Sequence, residues 1–159
     1  MFKKNDYLVY KKDVCKVVEI KEISNILYYV LIPINDSSLK VTVPINSKAI
    51  RTLINISELN KLIDIIPDIP LIETNNKLIE NDYKELIKDG SFESLIKIIK
   101  TTYLRNKERL DNNKKKADKD EYYFNLAEKY LYTEFSVVLN KTFDETKEFI
   151  VNKVGKVNK

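Results

Sequence analysis

Histidine and tryptophan are absent from this 159-residue chain, and it has only two glycines, one cysteine and one methionine. Each shortage excludes something. Without histidine there is neither the side chain most used for acid–base work near neutral pH nor the commonest metal ligand. Gly90 and Gly155 are too few and too far apart to build a glycine-rich phosphate loop. A lone Cys15, set in an apolar strand pattern, cannot form an internal disulfide and reads as a small core residue. No apolar run approaches the roughly 20 residues that span a bilayer. The opening "MFKKNDYLVY" has neither an apolar stretch nor a small-residue cleavage site behind its lysines. The expectation is a cytoplasmic protein without a membrane segment.

Paired acids do not fill the catalytic gap. Asp118, Asp120 and Glu121 lie close together but lack the glycine and alternating oxygen ligands of a calcium loop, and read as a solvated helix start. No enzyme activity, cofactor, metal or small-molecule substrate is expected.

What is present divides into two halves. Between Tyr7 and Pro44 the chain offers "YLVY", "VCKVVEI", "ILYYVLIP" and "LKVTVPI", rich in Val, Ile, Tyr and Thr. Polar breaks at Lys11 to Asp13, at Ser24 and Asn25, and at "NDSS" separate these runs, as turns between strands require. They fit a compact antiparallel barrel or curled sheet of four or five strands. After Arg51 the apolar period becomes 3.6. Leu59, Leu62, Ile63 and Ile66 share one face of a first helix, with Ser57 as its N-cap and Pro67 and Pro70 as its stop. A second helix over residues 76–88 buries Ile79, Tyr83, Leu86 and Ile87 and ends at Gly90. A third from Ser91 turns Phe92, Leu95, Ile96, Ile99 and Tyr103 inward. A fourth is capped by Asp118 with Glu121, and a fifth by Thr142 with Glu145, both at capping-box spacing. The fold class is therefore α+β, with a β domain over residues 1–54 and a helical bundle over 55–159.

Charge is unevenly placed along the chain. Residues 1–56 carry nine Lys or Arg against five acids, residues 57–100 six against nine, and residues 101–159 thirteen against ten. Within the last segment "YLRNKERLDNNKKKADK" gathers Arg105, Lys107, Arg109, Lys114, Lys115, Lys116 and Lys119. Such a run can neutralise several phosphates, or it can be a solvated loop that favours the preceding helix C-terminus. The overall charge of +4 does not decide between them.

The order of these features resembles the CarD/CdnL family of bacterial transcription regulators. "FKKNDYLVY" is similar to the family's opening F-x-x-G-D-x-V-V-Y at Phe2, Asp6, Val9 and Tyr10, with Asn5 in place of the glycine. "YYVL" and "LKVTVP" look like its central and edge strands, and "AIR" at 49–51 like its closing strand. In the second half "LIKIIKTTYLRNKER" and "AEKYLYTEF" resemble two of its helical segments.

The resemblance implies a Tudor/SH3-like antiparallel β barrel that binds the RNA polymerase β subunit, followed by a helical domain that contacts double-stranded promoter DNA. Polymerase binding would fall on Lys40, Val41, Thr42, Val43 and Pro44 by strand addition, with Lys48 or Arg51 nearby. From the residues alone the same strand reads as the closing strand of the barrel, with Lys40 guarding its edge. DNA contacts would come from Asn75, Asn76, Lys77, Arg105, Lys107, Arg109, Lys114, Lys115 and Lys116. Where relatives insert a tryptophan wedge at the start of the second helix, this chain has Asn76 or Asn75. Asparagine can bond a base edge but cannot replace a base in the stack, so DNA binding through the basic residues is expected to survive while stabilisation of the open promoter complex is weaker or differently executed. The pair reads equally as a helix N-cap. The alternative function is an adaptor that docks on polymerase or another partner without touching DNA.

Overall fold

The computed structural model describes residues 1–73 and 77–157. Asn75 and Asn76 lie outside the described residues. The chain divides into two compact units, Met1–Ile54 and Asn55–Lys159.

The first unit is a five-stranded antiparallel sheet of β1 (Tyr7–Tyr10), β2 (Asp13–Ile23), β3 (Ile26–Pro33), β4 (Val41–Pro44) and β5 (Ile50–Arg51), in the order β4-β3-β2-β1-β5. Its strands arise where the β-branched and aromatic runs predict them, and β3 occupies the whole of "ILYYVLIP". Ser24 and Asn25 both take positive φ, 51° and 67°, which matches a tight turn to the twist of the β2–β3 hairpin. A register shift between Val17 and Glu19 bends β2 over its partner. The curled side buries Leu8, Cys15, Val17, Tyr29, Leu31 and Val43. Phe2 closes that core edge-on to Tyr29, its ring centroid 5.9 Å away, while its N–H donates to the Tyr29 hydroxyl at 3.0 Å.

The sheet is open. Instead of closing a barrel, β4 and β5 form its two edges and do not pair with each other. Two-residue β5 spans only Val9 and Tyr10 of β1, and four-residue β4 spans only Tyr28 to Leu31 of β3, so neither edge is long enough to wrap round to the other.

The second unit comprises α1 (Ile56–Ile65), a 3-10 turn at Ile66–Asp68, α2 (Ile79–Asp89), α3 (Phe92–Asp111), α4 (Asp118–Leu139) and α5 (Phe143–Val157). Asn55, not Ser57, caps α1, its side-chain oxygen accepting from Glu58 N–H at 2.8 Å. Gly90 ends α2 in the left-handed region, and Ser91 caps α3. Thr142 and Glu145 make a reciprocal capping box at 3.1 and 3.0 Å. Asp118 does not cap α4. Ala117 occupies that position, and its N–H is taken by Asn106 Oδ1 at 3.0 Å, which ties the α3–α4 loop back to α3. The core of this unit includes Leu59, Ile63, Tyr83, Ile98, Leu131 and Phe135.

Candidate functional site

Two surfaces carry the residues singled out by the sequence, one on each unit. On the sheet it is the outer edge of β4. Lys40 falls one residue before the strand and is exposed, Thr42 is exposed, and Val43 is buried against the core. Ile45 N–H donates to Leu27 O at 3.1 Å. Antiparallel ladders alternate, so Val43 and Val41 also bond β3, while the N–H and C=O of Thr42 and the C=O of Pro44 turn outward. Among the described residues no strand pairs with that side. Pro44 O already accepts from Ser47 N–H at 3.0 Å, so the edge offers the one donor and one acceptor of Thr42, and Pro44 itself donates nothing. Cys15 lies in the core of the same unit, where burial pushes its thiol up to about 11 and leaves it a packing residue.

On the helical unit it is the corner where α3 passes into α4. Lys107, Lys114, Lys115 and Lys116 are exposed there, and Lys107 and Lys116 line a shallow groove of about 200 Å³ with Tyr103, Leu110 and Phe124. Tyr103, expected to point inward, is 56% exposed. The buried face of α3 is centred on Ile98, Thr102 and Asn106, which leaves position 103 on its border. Lys116 makes a long ion pair with Glu121 at 3.8 Å, and Lys119 pairs with Glu80 at 3.1 Å. Among the described residues Lys107, Lys114 and Lys115 have no carboxylate at ion-pair distance. Lys77 is exposed in the turn before α2.

The two arginines of the basic run do different work. Arg105 Nε lies 3.0 Å from Asp120 Oδ2, and the other oxygen of Asp120 accepts from the Tyr83 hydroxyl at 2.7 Å. Asp120 is 1% exposed, so this is a buried Tyr–Asp–Arg link joining α2, α3 and α4. Burial, followed by the bond to Asp120, holds the Tyr83 hydroxyl above its ordinary pKa. Arg109 Nε donates to Lys115 O at 2.8 Å and clips the loop. Asp120 is therefore not part of a solvated helix start. The signal was available: Asp120 stands three and seven residues before buried Tyr123 and Ala127, on the apolar stripe of α4.

No family model matches the chain, and no curated protein matches it. Among the described residues no cluster of His, Cys, Asp or Glu is arranged to hold a metal ion, and no helix is long and apolar enough to cross a membrane.

Proposed function

We propose that the chain is a non-catalytic transcription regulator of the CarD/CdnL type. In this reading the sheet is a Tudor-like domain that binds the RNA polymerase β subunit by strand addition to β4, and the helical unit contacts promoter DNA through the α3–α4 corner. The observation that carries it is the outward-facing, unpaired edge of β4. There the N–H and C=O of Thr42 can take the backbone of an added strand, and Pro44 donates nothing beyond them. Asn5 supports the resemblance. Its φ of 76° is left-handed, a conformation natural to the glycine of the family pattern and tolerated by asparagine at low cost.

Lys107, Lys114, Lys115 and Lys116 supply phosphate contacts, with the exposed ring of Tyr103 beside them as a stacking face. A second reading, an adaptor without DNA contact, is favoured by the engagement of Arg105 and Arg109 inside the unit, which leaves lysines alone at the surface. Salt titration separates the two. If DNA is bound, affinity falls steeply with salt, and replacing Lys114, Lys115 and Lys116 by Ala lowers the log–log slope by about one per lysine. A flat salt response in the unaltered protein supports the adaptor.

A further inference from the structure

Between α3 and α5 the helical unit holds a second, larger crevice of about 400 Å³. Its floor is α4, which packs against both neighbours and contributes Phe124 and Leu131. Ile96 and Ile99 form one wall, Ile150 and Val154 the other. A half-enclosed, largely apolar cavity with a few charged groups, in the usual range of about 300–1,000 Å³, is the general form of a small-molecule site.

The charged groups at this crevice are unevenly matched. Glu128 on the floor is buried and bound through both oxygens to Lys147, at 3.0 and 3.2 Å, so that pair is neutral within itself. Lys100 is different. Its ammonium is held by three backbone carbonyls of the segment after α1, those of Ile69, Ile66 and Pro67, at 2.6, 2.8 and 3.4 Å. Among the described residues no carboxylate is within ion-pair distance of it. Asp68, the acid that acts on it, is exposed in the 3-10 turn and works from further away. Burial holds the Lys100 ammonium below its ordinary pKa, the mark of a charge the surroundings do not fully offset.

We infer that this crevice binds an amphipathic monoanion, with an alkyl chain of medium length lying over α4 and a carboxylate at Lys100. The chain replaces water against Ile99, Phe124 and Val151, the lining residues that solvent reaches. The carboxylate supplies the charge that three neutral carbonyls cannot, taking the place of the longest contact, to Pro67 O. The site does not rest on the transcriptional reading, and it departs from the sequence expectation of no small-molecule ligand.

Binding to the full chain is measured by calorimetry with dodecanoate, dodecan-1-ol and dodecyltrimethylammonium, each below its micelle-forming concentration. A Val151→Trp variant serves as optical reporter, since Val151 is 58% exposed at the crevice and the chain has no other tryptophan. The expected result is one saturable site for dodecanoate, a blue shift of the reporter, and affinity at least about tenfold above that for the alcohol or the cation. In Lys100→Met, with helicity checked by circular dichroism, the preference for dodecanoate over the alcohol disappears. Absence of saturable dodecanoate binding, equal affinity for the three probes, or an unchanged preference in folded Lys100→Met overturns the inference. Loss of fold in that variant leaves the comparison of the three probes on the unaltered chain to decide.

Discussion

Asp120 joins three helices through two hydrogen bonds, and the consequences of removing either partner differ in a measurable way. Tyr83→Phe leaves one oxygen of a buried carboxylate without its donor, which costs about 1–3 kcal/mol in urea unfolding. Arg105→Ala leaves the carboxylate unpaired and costs more, about 3–5 kcal/mol. Replacing exposed Lys114 or Lys115 leaves stability within about 0.5 kcal/mol. Arg105 thus separates from the lysines of the same run by stability rather than by affinity. Asn5 makes an independent test at the backbone. Asn5→Ala keeps the Cβ in the left-handed region but removes the short polar side chain that makes it tolerable there, and lowers stability by about 1 kcal/mol, while Asn5→Gly is near neutral. Glu128 gives the pH dependence. Burial raises its pKa above the ordinary glutamate value, and Lys147 only partly reverses this. The folded chain therefore holds a proton that the unfolded chain releases, and stability falls as pH rises from the ordinary value to the raised one. Glu128→Gln should remove that fall in a series of thermal melts.

At the scale of elements the strands were legible because β-branched runs and short polar breaks alternate cleanly, and β1 and β3 occupy the expected residues. Helix ends were legible where a side chain makes the cap, at Ser91 and Thr142, and where the left-handed backbone of Gly90 ends α2. The ends of α1 and α4 were not. Asn55 and Ser57 are both acceptable caps two residues apart, and the start of α4 is fixed by Asn106, eleven residues away in sequence. A contact across a loop leaves no local pattern. The same limit applies to the surfaces: a run of basic residues is visible in sequence, but the withdrawal of Arg105 and Arg109 into internal bonds follows from tertiary packing. The capping box of α5 makes a simple element-level prediction. Thr142→Ala removes the acceptor of Glu145 N–H and costs about 1 kcal/mol, read as a shift in urea midpoint. Glu145 is held below its ordinary pKa chiefly by the Thr142 backbone N–H. Its contribution is present above the ordinary glutamate range and fades as pH falls through its lowered value.

Over the whole molecule, a sheet with an open edge and a separate helical unit with a basic corner give two surfaces able to engage two partners. The central claim is that the β4 edge receives a strand of the RNA polymerase β subunit. Thr42→Pro tests it directly, because the Thr42 N–H faces outward and its loss removes the edge's one donor while sparing the bonds to β3. Affinity for purified polymerase, measured beside a thermal melt, should fall at least about tenfold with the melting temperature little changed, in keeping with the loss of one interfacial hydrogen bond and a steric block to pairing. Equal binding by the unaltered chain and a folded Thr42→Pro variant, or no binding by either, would contradict the account.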